Sequence, residues 1–194
     1  MEKYKGIEEF YNVYIQIERV KRTGWVMRNV PAERIESVSD HTLQVIVLAI
    51  TLCNELHLDF DISELTQMCF IHDLGESLVG DISEIDIDYM EKKKKEKEVV
   101  KKLVSSLSAT TAEKYVRLWT EMDQRSTPLG EFAFNVDKMD AVLKAKKYAE
   151  EYAMPELFKE FYEYYVKKGT FEKGALKEMF EGLNKDEKNI NHMI

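Results

Sequence analysis

The sequence predicts an all-α protein, a compact bundle of helices. Three observations carry that expectation. Only 3 prolines and 8 glycines interrupt 194 residues, too few punctuators for a strand-and-turn fold. Apolar residues recur at intervals of three and four through most of the chain, which is the period of an amphipathic helix. Hydrophobic residues make up 44% and charged residues 33%, the balance of a globular chain long enough to bury its own core.

The elements follow in order. Phe10, Val13, Tyr14, Ile17 and Val20 form a core-facing stripe, so a first helix is expected over Ile7–Arg22. The next stretch, RTGWVMRNVPAERIESVSD, holds Gly24 and Pro31 and keeps no period; a loop this long inside a domain is usually functional or disordered. Ser37 or Ser39 can cap a second helix that runs to about Leu58. Its LQVIVLAITLC segment is apolar on nearly every side, which predicts the central buried helix. A third helix starts after Asp61, with Ser63 as another candidate cap, and aligns Ile62, Leu65, Met68, Cys69 and His72. Residues 91–98, EKKKKEKE, read as a solvated helix face, since Glu91 and Lys95, and Lys94 and Glu98, stand four apart. Further helices are expected over Thr111–Asp123, Leu129–Tyr152, Pro155–Lys168 and Phe171–Leu183, before a polar tail that contains His192. The whole is read as a single domain, with a functional core over 22–149, C-terminal helices over 155–184 and the tail over 185–194.

A formal net charge of -8 argues against a nucleic acid polymer as partner, since backbone binders need a basic stripe. It leaves open an anionic small molecule drawn in by a local cation. Cys53 and Cys69 lie in apolar stretches without CxxC spacing, and read as buried free thiols. The N-terminus MEKYKGIEEF has no apolar h-region, and the run Val45–Leu52 is too short to span a bilayer. A cytoplasmic protein without a membrane partner is therefore expected.

The chemistry gathers on His41, the adjacent pair His72 and Asp73, and Asp137. Imidazole and carboxylate donors together suit a hydrolytic divalent cation. Only four histidines occur in the chain, which excludes a His-rich dinuclear cage by count. On a helix His72 and Asp73 would project about 100° apart, with Glu76 four and three residues on, so that all three reach one side. Taken alone, a His-Asp pair is more often a hydrogen-bonded core histidine beside a salt-bridge partner. Asp137 shifts the balance, because in FNVDKMDAVLKA it interrupts a face that ought to be buried, and a buried carboxylate needs a cation or strong hydrogen bonds. Lys138 stands beside it, but neighbours on a helix point in different directions. His57 at a helix end and His192 in the tail read as solvent-facing, and Trp119 with Phe158, Phe161, Tyr162 and Tyr165 as core or subunit contact.

With RTGWVMRNV, ESVSDHT, IHDLGESLVGDI and VDKMDAVLKA around them, these residues resemble the HD-domain metal-dependent phosphohydrolases, in the subgroup of 5'-deoxynucleotidases. The resemblance runs from about Arg22 to Ala149. It implies a homodimeric HD-domain helical bundle that hydrolyses deoxynucleoside 5'-monophosphates with a divalent cation, Mn, Co, Mg, Fe, Ni or Zn. It implies metal ligands at His41, His72, Asp73 and Asp137 and catalytic acids at Glu76 and Asp81. Asp81 also matches a residue close to the sugar, and some relatives hold a second cation with the equivalents of Glu76, Asp81 and the Ile82 carbonyl. Arg22 matches the arginine that orients the phosphate, a task suited to its planar fork. Trp25 matches an aromatic that crowds the sugar 2' position, and its RTGW spacing is that of the eukaryotic relatives, the bacterial enzyme having its arginine and tryptophan adjacent. Arg28 is a second basic candidate, equally read as a solvated loop residue. Two alternatives stand beside this: a hydrolase of an alarmone or cyclic nucleotide, and a nonenzymatic nucleotide sensor. Alarmone hydrolases carry Glu-Asp where this chain has Glu76 and Ser77, and cyclic-nucleotide members use more metal histidines.

Overall fold

Helices make up most of the described residues. The computed structural model describes residues 2–81 and 89–190. Among them the only pairing of extended backbone is an isolated antiparallel bridge between Lys21 and Ser37. The chain divides into two compact units, Met1–Ala133 and Phe134–Ile194.

In the first unit, α1 spans Glu2–Tyr14 and tightens into a 3-10 helix over Ile15–Arg19, so the first helix starts earlier than its apolar stripe suggested. The expected loop contains a short helix, α2 (Thr23–Met27). Its neck is closed by Val38 N–H donating to the Val20 carbonyl at 2.8 Å and Arg22 N–H to the Glu36 carbonyl at 3.1 Å. Ser37, not Ser39, caps α3 (Val38–Glu55). The reciprocal bonds between Ser37 and Asp40 form a capping box, an arrangement that stabilises a helix start by about 1 kcal/mol. α3 is less enclosed than its composition implied, for Leu43 is 62% and Val47 57% exposed while Val45, Ala49 and Cys53 are buried. Asp61, not Ser63, caps α4 (Ile62–Ile71), accepting from the Ser63 and Glu64 amides.

Tight turns lead from α4 into α5 (Glu76–Val79). The remaining helices of this unit are α6 (Tyr89–Val104), α7 (Ala109–Gln124) and the start of α8 (Pro128–Glu151). α3 packs on α4, α4 on α7, and α7 on α6. Between them Ile71, Leu74, Val100, Leu103, Val104 and Trp119 form a buried cluster, edged by Phe10, Tyr14, Phe70 and Tyr115. The 91–98 run is not uniformly solvated: Glu96 is 4% exposed and lies against Gly75, where an added Cβ would meet the Glu96 side chain at 3.1 Å. The side chains of Glu91, Lys94 and Lys95 lie outside the described residues. Cys53 and Cys69 are buried thiols that form no disulfide, as expected. No described helix is long and apolar enough to cross a membrane.

The second unit continues α8 and adds α9 (Pro155–Lys168) and α10 (Lys177–Ile190). The last helix begins later than expected because turns occupy the residues around Gly174, whose φ is +84°. Of the aromatic side chains read as core or subunit contact, Trp119, Phe158, Phe161 and Tyr165 are buried and Tyr162 is half-buried. Phe171 and Phe180 are buried as well, with Phe180 stacked between Tyr162 and Phe171 at 4.4 Å from each. The tail residue His192 lies outside the described residues.

One close approach tests the packing of the first unit. A Cβ at Gly6 would fall 1.8 Å from the Ser106 carbonyl oxygen, so α1 meets the end of α6 only because Gly6 has no side chain. Gly6→Ala is expected to destabilise by about 1–3 kcal/mol through overpacking, despite the better helix propensity of alanine. Thermal unfolding reads the effect as a drop of several degrees, about 2–4 °C per kcal/mol at this chain length.

Candidate metal centre

The capping box fixes where α3 begins, and His41 sits on its first turn, fully buried. His72 ends α4. Its Nδ1 donates to the Cys69 carbonyl at 2.6 Å; a carbonyl has no proton to give, so Nδ1 holds the ring hydrogen and Nε2 presents its lone pair. That lone pair lies 3.4 Å from His41 Nε2 and 3.1 Å from Asp73 Oδ2, while His41 Nε2 is 3.6 Å from the same oxygen. The Trp119 indole N–H donates to the His72 carbonyl at 3.0 Å and holds the end of α4 from the core side.

His41, His72 and Asp73 thus form a group able to hold a metal ion, and the spacing supports it. A cation about 2.1 Å from each N or O donor holds neighbouring donors roughly 3.0 Å apart in an octahedral shell and roughly 3.4 Å apart in a tetrahedral one. The three observed separations fall in and just above that range. The Asp73 carboxyl suits the same role. Burial alone would raise its pKa, but His72 and then His41, in their protonated forms, and the Arg22 guanidinium outweigh burial and hold it well below the usual carboxylate range, a charge balance that a cation on the neutral rings would take over.

Arg22 brings a guanidinium beside these donors. Its Nη1 is 2.9 Å from Asp81 Oδ1, 3.4 Å from Asp73 Oδ2 and 3.9 Å from Glu76 Oε2. Three carboxylates against one guanidinium leave a formal charge of two minus, which a divalent cation balances. Asp81 is further held by Thr23, whose backbone N–H donates to Oδ2 and whose hydroxyl donates to the Asp81 carbonyl at 2.6 Å. Gly80, with φ of +80°, makes the turn that returns Asp81 to the site.

His41, His72, Asp73, Glu76, Asp81 and Arg22 therefore come together. Two geometric expectations need correction. Asp73 and Glu76 do not share a continuous helix with His72, because residues 72–75 are turns bonded from i to i+3, as in Glu76 N–H to the Asp73 carbonyl at 3.0 Å. Lys138 does reach Asp137, its Nζ lying 3.0 Å from Oδ2, because the long stem bends around the helix. Asp137 lies on α8 in the second unit, buried, with a second buried acid, Asp140, three residues on. Trp25 is only 2% exposed and its indole N–H donates to Glu36 Oε1 at 2.9 Å. Arg28 is half-buried, its guanidinium turned back onto the Gly24 carbonyl at 3.0 Å. His57 is exposed with φ of +52°, as expected for a helix end. Ile82 lies outside the described residues.

The model of the HD domain family matches residues 16–180. The chain belongs to the HD domain family. Among its relatives, the 5'-deoxynucleotidase HDDC2 of Bos taurus is 32% identical over 160 residues, covering 82% of this chain and 76% of that one. The protein of the same name from Mus musculus is 33% identical over 160 residues, covering 81% and 77%. Among solved structures, a conserved hypothetical protein from Pyrococcus furiosus superposes with a TM-score of 0.73 at 22% identity, covering 91% of this chain and 98% of that one, and shares its fold. This HD domain carries its histidine-aspartate pair at His72 and Asp73.

Sequence reasoning missed Glu36, Thr23, Glu96 and the Trp119 tie. A signal was available for Glu96, which shares a stripe with Val100 and Leu103 at spacings of four and seven. None was available for Glu36, whose partner Trp25 lies eleven residues away within one loop.

Proposed function

We propose that this HD domain hydrolyses deoxynucleoside 5'-monophosphates to deoxynucleoside and phosphate. The observation that carries the reading is the placing of Arg22 Nη1 3.4 Å from the same Asp73 oxygen that His41 and His72 approach. A phosphoryl group fits beside a guanidinium and a metal position joined by one carboxylate. The names of the relatives, 5'-deoxynucleotidase, support the substrate class.

His41, His72, Asp73 and Asp137 would hold the cation, which when bound lowers the pKa of water and draws charge from the phosphoryl oxygens. Arg22 grips and orients the phosphate. Glu76, buried beside Arg22, moves the proton, donating to the leaving oxygen or accepting from water. Asp81 keeps Arg22 aimed and faces the sugar. A second cation on Glu76, Asp81 and the Ile82 carbonyl would require Arg22 to leave Asp81. Buried thiols that form no disulfide support a reducing, cytoplasmic location, and the exposed apolar Leu43 and Val47 support a homodimer.

The test is a screen of purified protein against deoxy- and ribonucleoside monophosphates with each of Mn, Co, Mg, Fe, Ni and Zn. Phosphate release from deoxynucleotides is expected, faster than from ribonucleotides of the same base. Trp25→Ala should narrow the deoxy-to-ribo ratio of kcat/KM, because a wall that crowds the 2' position discriminates by fit. Losses common to both sugars cancel in that ratio. Absence of phosphate release with every metal overturns the reading.

A further inference from the structure

Glu36 is a buried carboxylate that the chemistry above does not use. It is 6% exposed, and each of its oxygens has a directed donor: the Trp25 indole N–H at 2.9 Å on Oε1 and the Gln44 amide at 2.9 Å on Oε2. Its backbone carbonyl accepts the Arg22 N–H at 3.1 Å. Taking a carboxylate out of water is costly, and here the expense joins two parts of the site. On one side stands the turn that carries Arg22, closed by Trp25 N–H on the Arg22 carbonyl at 3.1 Å. On the other stands α3, where Gln44 follows His41 by three residues and Ser37, next to Glu36, is the cap.

A guanidinium on a long stem is only as well aimed as the backbone that bears it. Arg22 itself starts α2, a helix of 5 residues, too short to hold its own conformation. The Trp25 indole is the largest buried side chain of that helix, and its one polar atom is fastened to Glu36.

We propose that Glu36 is a positioning residue, its carboxylate clasping the Trp25 indole against α3 so that the turn beneath Arg22 stays aimed at the phosphoryl group. The inference rests on the phosphate-gripping role of Arg22 given above. Glutamine can replace Glu36 without breaking the clasp, because its oxygen still accepts from Trp25 and the Gln44 amide can flip to offer its own oxygen.

The experiment measures KM and kcat for a deoxynucleoside monophosphate and, separately, binding of orthophosphate to the metal-loaded protein by calorimetry. Glu36→Ala should raise KM and weaken phosphate binding by about tenfold or more, with metal content unchanged and kcat less affected. Glu36→Gln should stay within about threefold of the parent, and Trp25→Phe, which keeps the ring and removes the N–H, should fall between. The double variant Arg22→Ala/Glu36→Ala should be no worse than Arg22→Ala alone, because both remove one interaction. Additive losses, or parent-like phosphate binding in a folded Trp25→Phe, overturn the clasp even where Glu36→Ala fails to fold. A parent that binds phosphate through Arg22 and Glu36 yet hydrolyses no nucleotide overturns the functional reading and keeps the clasp. A parent that releases phosphate from nucleotides yet binds no orthophosphate overturns the clasp and leaves the functional reading in place.

Discussion

His72→Ala should release the metal and lower turnover by at least about a thousandfold, close to 4 kcal/mol of transition-state stabilisation, with helical content retained. The imidazole is held in one tautomer by the Cys69 carbonyl and supplies one of three donor atoms that lie within 3.6 Å of one another. Alanine leaves two, and the aligned lone pair that fixed the third corner is gone. The fold should survive, since the contact from Trp119 goes to the His72 backbone carbonyl rather than to its ring. Asp137→Ala is expected to act alike, as the fourth proposed ligand. Elemental analysis, circular dichroism and phosphate release together check the result. Full metal occupancy in both variants would remove these residues from the ligand set.

Glu76→Gln should keep the metal and bind substrate, yet turn over about a hundredfold more slowly, the usual loss when proton transfer is removed. The side chain is buried beside Arg22, so glutamine fills its volume without opening a cavity and changes only charge and proton affinity. Phosphate binding measured without turnover separates the two roles. Unchanged binding with slow turnover marks Glu76 as the proton carrier, whereas near-normal turnover would mark it as structural.

Much of this was legible because the signals were local. Ser37 and Asp40 stand three apart and make a capping box whatever surrounds them, so the start of α3 and the placing of His41 follow from a short string of residues. His72 and Asp73 are neighbours, and their partnership needed only His41 from elsewhere. What escaped was long in range or depended on a break in the helix. The turns at 72–75 replace an expected helix, although Gly75 could have signalled them; its lack of a side chain is what lets Glu96 approach. The Trp25–Glu36 bond joins two residues of a segment with no period, where pattern has nothing to say. The exposed Leu43 and Val47 show that an apolar composition does not fix which face of a helix is covered.

The neck that closes the segment from Arg22 to Glu36 separates that segment's two ends from its middle. Lys21 pairs with Ser37 and its Nζ donates to the Ile35 carbonyl at 2.6 Å, while Ala32, Glu33 and Arg34 form an exposed turn at the far tip. Because closure is already secured at the neck, lengthening the tip adds only about 0.6 kcal/mol of entropy for each doubling of the loop. Arg22 and Trp25 stand near the fixed end. Insertions and deletions can therefore accumulate at residues 32–34 while the chemistry stays in place, which makes this tip the natural point for the chain to acquire new recognition by evolution or by grafting.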